Sequence, residues 1–255
     1  MKLVRFVHPE SGSLSYGMME DDPILYELRE SFFDSMVKTG VSFPLPRVRL
    51  CSPTFPSKII AVGLNYRDHI TEFGHEVPEN PILFIKPGTT VIGPEDTIIL
   101  PPQSQHVDYE GELAVIIGKK ARKITPEDAP RYILGLTCFN DVTARDLQRK
   151  DGQWTRAKSF DTFAPIGPWI VPGIDSSSLS ITTRLNGQIK QRSNTSQLLF
   201  PVPTLVSFIS QVMTLLPGDV IATGTPSGVG KISPGDVVEI EIQDIGILRN
   251  IVRGE

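Results

Sequence analysis

Hydrophobic positions along the chain fall in short runs, and most of these runs repeat with a period of two. "KLVRFV" and "SLSYGMM" alternate around the turn "PESG" and predict a hairpin. "KIIAVGLNY", "PILFIKPG", "TIILPP", "VDYEGELAVIIG", "YILGLTCFNDV", "GPWIVPG" and "DVIATG" predict further strands separated by Pro and Gly turns. "SITTRLNGQIKQRSN" predicts a second hairpin, because Asn186-Gly187 suits the tight turn that antiparallel strands favour. "PGDV" occurs at 217 and again at 234, each time launching a strand. Helical spacing is scarcer. "ILYELRESFFDSMVKTG" has it and ends in Gly40, a plausible C-cap, and "NYRDHITEFG" ends likewise in Gly74. "ITPEDAPRY" is a short helix start, "TARDLQRKDG" carries Thr143 and Asp146 in capping-box-like positions, and "VPTLVSFISQVMTLLPG" is the strongest helical pattern. The order predicts an α+β chain, mostly β, without βαβ alternation. The proline-rich run "FPLPRVRLCSPTFPS" sets the expected boundary: residues 1–54 form a small N-terminal subdomain with its linker, and 55–255 the main domain.

Composition narrows the classes of function. With 255 residues the chain can bury a sizeable core, and its 21 glycines and 22 prolines explain why the segments are short. The formal charge is −4, and no stripe of Lys or Arg appears, which disfavours a nucleic-acid partner. Cys51 and Cys138 stand far apart in no metal or redox spacing, which fits a reduced, cytoplasmic setting. The start, "MKLVRFVHPESG", has no apolar leader, and no run is long enough to span a bilayer, so no membrane partner is expected.

The stretch "HVDYEGELAVIIG" changes the picture. Asp108, Glu110 and Glu112 alternate with Tyr109, Gly111 and Leu113, so on a strand the three acids share one face. Acids about 6–7 Å apart repel by about 2–3 kcal/mol per ionised pair at an effective dielectric near 20. Two readings fit: a wet edge strand, or a cavity wall that needs a hard cation such as Mg²⁺ or Mn²⁺. Asp141, at the end of "YILGLTCFND", either caps the following helix or completes a three-acid cation site. His69 and Glu72 are three apart and share a helix face, either as an exposed turn or as a dyad that activates water. Lys158, among apolar and small residues, either neutralises an anion in the interior or snorkels outward. Other motifs fail. "GTPSGVGK" has the wrong spacing for a phosphate loop and Ile232 where Ser or Thr is needed. There is no G-x-S-x-G elbow and no G-x-G-x-x-G, and His and Cys are too few and scattered for zinc.

Seven blocks, "NYRDHITEFG", "PILFIKPGT", "VDYEGELAVIIGK", "FNDVTARDLQ", "WTRAKSFDTFAPIGPWIV", "LNGQIKQ" and "GDVIATGTPSGVG", stand in an order that resembles the fumarylacetoacetate hydrolase superfamily over roughly residues 55–255. The resemblance implies a mixed β-sandwich roll holding one Mg²⁺ or Mn²⁺ on Glu110, Glu112 and Asp141. It implies that Arg145 and Gln148 flank a substrate carboxylate, that Lys158 faces the enolate, and that Thr225 offers a hydroxyl and backbone contact. His69 and Glu72 match the lid-helix dyad of acylpyruvase-like members, and Asp108 has no implied ligand role. The implied chemistry is a small 2-oxo carboxylate passing through a metal-bound enolate. C–C hydrolysis of acylpyruvates of the fumarylpyruvate kind is the first expectation. Isomerisation or decarboxylation of 2-hydroxy-dienedioates, and decarboxylation or tautomerisation of oxaloacetate, are the enzymatic alternatives. A small-molecule binder on the same fold is the non-enzymatic one. The resemblance also implies a homodimer.

Overall fold

The structure is a computed structural model in which residues 1–20, 22–68 and 76–255 are described. Its centre is the strand Gly111–Ile117, buried at every position. A strand covered on both faces needs no polar alternation, which is why "LAVII" is continuously apolar. It pairs antiparallel with Ile133–Asn140 on one side and with Val220–Ala222 on the other. Val220–Ala222 runs parallel to Ile59–Gly63, which pairs with the terminal strand Ile82–Lys86. In the other direction Ile133–Asn140 leads to Ala164–Val171, and this strand takes up the N-terminal strand Lys2–Val7. The expected hairpin with Leu14–Met19 follows, so the first strands extend the same twelve-stranded sheet.

A five-stranded sheet packs against this one and contains Ser180–Leu185, Gln188–Asn194, Val237–Ile242, Gly246–Gly254 and Thr97–Leu100. Its Asn186-Gly187 turn has φ of 53° and 77°, the left-handed pair that a two-residue hairpin of this twist requires. Leu113, Val115 and Ile117 meet Ile181, Ile240 and Ile242 of this second sheet and Leu205 and Ile209 of the helix Val202–Val212. Ala114 and Ile116 point the other way, into Ile59, Ala61, Phe139 and Val220. Each fully buried Leu, Ile or Val contributes about 1.5–3 kcal/mol, so this two-sided strand fixes the frame on which the site is built.

Two local expectations are corrected. Residues 24–40 are not helical: Ile24–Leu28 and Lys38–Pro44 are antiparallel strands, and Gly40, with φ of 95°, lies within the second of them. The apolar spacing suits either period, and the free edge of Leu14–Met19, together with burial of Leu25 among Val4, Phe6 and Met19, decides for the sheet. Thr143 and Asp146 do not form a capping box. The helix Arg145–Asp151 starts after Ala144 without a side-chain cap, Thr143 bonds to Glu110, and Asp146 accepts from Ser104 Oγ at 2.6 Å. No helix among the described residues is long and apolar enough to cross a membrane.

Candidate active site

The strand that carries the acids breaks at Glu110, between Val107–Tyr109 and Gly111–Ile117. The register sets Gly111 opposite Asn140, which brings Glu110 beside Asp141, the residue after the neighbouring strand. Asn140 fastens the junction by accepting the Glu110 N–H at 2.9 Å, and Glu110 O accepts the Asp141 N–H at 2.9 Å. Gly111 is needed between the two glutamates, because a Cβ there would stand 2.1 Å from Thr183 Oγ1 on the second sheet. Glu112 has the parity of Ala114 and faces away from that sheet. Its Oε2 accepts the N–H of Gly224 at 2.8 Å, where the backbone adopts φ of 100°. One carboxylate oxygen each from Glu110, Glu112 and Asp141 lies within 4.8 Å of the others, and all three residues are buried. Asp141 is therefore not a helix cap, since the next helix begins four residues later.

Cations line this cluster. Lys158, the last residue of the short helix Thr155–Lys158, is buried and donates to Asp141 Oδ2 at 2.5 Å and to Glu110 Oε2 at 2.9 Å. Its ammonium also lies 5.2 Å from the centre of the Phe84 ring. Arg145 donates through Nε to Asp108 Oδ2 at 2.8 Å, through Nη1 to Gln148 Oε1 at 2.6 Å, and through Nη2 to Glu110 Oε1. Asp108 thus orients the arginine instead of lining the cluster. Lys86 went unrecognised in the sequence. It ends the strand Ile82–Lys86, is fully buried, and donates to Asp141 Oδ1 at 2.5 Å and Val142 O at 3.2 Å. The available signal was a lysine closing an apolar strand in "ILFIKPG", in a chain with acids in excess.

The electrostatics follow from burial. Glu112 is held well above the usual carboxylate range, first by desolvation and then by Asp141 and Glu110. Desolvation works against Lys158 too, but Asp141 and Glu110 outweigh it and hold its ammonium above the ordinary lysine value. Desolvation, joined by the Lys158 charge, outweighs the pull of Asp141 and Glu110 on Lys86 and holds it below that value. A hard cation among the three carboxylates is the charge that would let Glu112 ionise, and an all-oxygen donor set is what Mg²⁺ and Mn²⁺ accept.

Glu110, Glu112, Asp141, Arg145, Gln148, Lys158 and Thr225 open onto one cavity of about 400 Å³. Val62, Leu64, Phe84 and Trp154 form its apolar wall. Thr225 enters with its hydroxyl already engaged: Oγ1 donates to Gly111 O at 2.9 Å and accepts from Gln191 Nε2 at 2.8 Å. His69 and Glu72 lie outside the described residues.

Residues 58–253 match the family described as Fumarylacetoacetate (FAA) hydrolase C-terminal. The chain belongs to this family. It is 41% identical over 254 residues, covering 91% of this chain and 81% of the other, to a mitochondrial oxaloacetate tautomerase of Rattus norvegicus. Over 100% of this chain and 99% of the other, it superimposes on a 2-hydroxyhepta-2,4-diene-1,7-dioate isomerase of Mycobacterium marinum with a TM-score of 0.93 at 42% identity. A maleylpyruvate hydrolase of Sphingobium sp. SYK-6, in complex with manganese (II) and pyruvate, is similar at a TM-score of 0.82 and 30% identity, over 100% of this chain and 99% of the other. Membership supports an enzyme of this superfamily, and its buried acidic triad is able to hold a metal.

Proposed function

We propose that this protein is a Mg²⁺- or Mn²⁺-dependent enzyme that moves a proton at C3 of small 2-oxo carboxylates, interconverting enol and keto forms of the oxaloacetate kind. The observation that carries the reading is the meeting of three carboxylates with buried Lys158 in one cavity. Glu110, Glu112 and Asp141 would hold the cation, which when bound supplies Lewis-acid stabilisation of negative charge on a chelating 2-oxo acid. Lys158 places a second positive charge beside the same oxygens, where the low local dielectric makes it effective. Gln148 spends its carbonyl on Arg145 and keeps its amide N–H₂ for a substrate carboxylate. Trp154 and Phe84 limit water on the apolar side. Proton transfer at C3 needs charge stabilisation and a base, whereas C–C hydrolysis also needs an activated water. Of the three relatives reported above, the tautomerase and the isomerase share more identity with this chain than the maleylpyruvate hydrolase does, which supports the simpler reaction.

The test is ketonisation of enol-oxaloacetate, followed by absorbance with Mg²⁺ and with excess chelator. Glu110→Gln is expected to lower kcat/KM at least a hundredfold and to weaken metal binding in parallel. Rates independent of both metal and Glu110 would overturn the reading. Acylpyruvate hydrolysis is the second reading, favoured by His69 and Glu72 in the sequence. It requires that His69→Ala abolish hydrolysis while metal affinity is kept. The homodimer implied by the resemblance belongs to the same proposal and is checked by light scattering.

A further inference from the structure

Arg149 lines the same cavity as the acids, yet it is exposed and has no hydrogen-bond or ion-pair partner among the described residues. Its neighbours explain why this is unusual. Arg145, one turn earlier on the same helix face, has its charge taken up by Asp108 and Glu110. Asp146 is engaged by Ser104 Oγ and the Gln105 N–H, and Asp151 by Arg156 through two bonds of 2.6 and 2.7 Å. The acids of this helix are therefore satisfied elsewhere. Two like charges at i and i+4 repel mildly, so their spacing gives no reason for the pair. Lys150 is exposed as well, but it does not line the cavity.

We propose that Arg149 is the specificity-determining cation of this cavity, the rim group that binds the distal carboxylate of a 2-oxo dicarboxylate. The inference rests on the 2-oxo acid reading above and adds to it the residue that meets the substrate's second carboxylate. The inner cations are spent: Lys158 lies on Glu110 and Asp141, and Lys86 on Asp141. A ligand whose first carboxylate reaches the acid cluster and Gln148 has its far end toward the mouth, and Arg149 is the uncommitted positive group there. Guanidinium matches a carboxylate with two parallel N–H donors, which a methyl terminus cannot use. Its place in the last helical turn also suits the helix dipole, but that role is indifferent to which ligand binds.

Equilibrium binding decides the matter, read from Trp154 fluorescence in saturating Mg²⁺, since Trp154 lines the cavity. The probes are 2-oxoglutarate and 2-oxopentanoate, which share a five-carbon skeleton and differ in the distal carboxylate. Arg149→Gln is expected to raise Kd for 2-oxoglutarate about five- to tenfold and to leave 2-oxopentanoate within about twofold, while Arg149→Lys keeps most of the preference. Equal effects on both probes, or on neither, with wild-type binding intact, would overturn the assignment of Arg149 alone. No binding of either probe by the wild type would defeat the 2-oxo acid reading, and this inference with it.

Discussion

Glu112 concentrates the physics of the site in one side chain. Desolvation and two neighbouring carboxylates raise its pKa well above 4.5. A carboxyl whose folded pKa is raised stabilises the fold below its unfolded pKa, and that contribution is lost as pH rises through the folded value. In chelator, the wild type should therefore lose stability relative to Glu112→Gln as pH rises from about 4.5. Thermal melts of the two proteins across pH should diverge in that direction. With Mn²⁺ present the difference should shrink or reverse, because the ion requires the carboxylate and displaces its proton. A constant offset between the two proteins at every pH would mean that Glu112 titrates normally. Lys86 shows the converse: a lysine that reads as an ordinary strand end proves to be a buried partner of Asp141.

Among the elements, the broken strand 107–117 matters most. Alternation places Asp108, Glu110 and Glu112 on one face, but the break at Glu110 sends Asp108 to Arg145 and leaves the two glutamates in the cavity. Gly111 makes the break fit against the second sheet. Gly111→Ala should cost about 1–3 kcal/mol in urea denaturation, the usual range for overpacking. Thr183→Ala in the same chain should recover part of it, since Thr183 Oγ1 is the atom 2.1 Å from the added Cβ. Full additivity of the two changes would remove the steric explanation. The segment 24–40 illustrates the opposite case, in which a helical spacing gives way because an open sheet edge offers hydrogen bonds and a core.

Across the whole molecule, the site joins elements far apart in sequence. Glu112 comes from the central strand, Glu110 from the break just before it, Asp141 from just past the neighbouring strand, Lys86 from the terminal strand of the sheet, and Lys158 from a short helix. A cation bound there would tie these parts of the native state together. Binding to the native state alone stabilises by RT ln(1 + [L]/Kd), about 2.7 kcal/mol at a hundredfold excess over Kd. Saturating Mn²⁺ should raise the melting temperature of the wild type by several degrees and leave Asp141→Asn nearly unchanged. An equal rise in both would place the ion elsewhere.

The sequence by itself determined most strands, the Asn186-Gly187 hairpin, the strongest helix and the acid pattern, and singled out Asp141 and Lys158 as candidates with their roles left open, because periodicity, turn residues and charge are local and survive in one dimension. The seven ordered blocks likewise reached the family that residues 58–253 match. Tertiary structure alone decided that Asp141 is a cluster member instead of a cap, that Asp108 serves Arg145, that Lys86 is a buried partner of Asp141, and that Arg149 lines the same cavity. Each of these depends on strand register and on which distant side chains share a buried volume, and neither is encoded in the spacing of neighbouring residues.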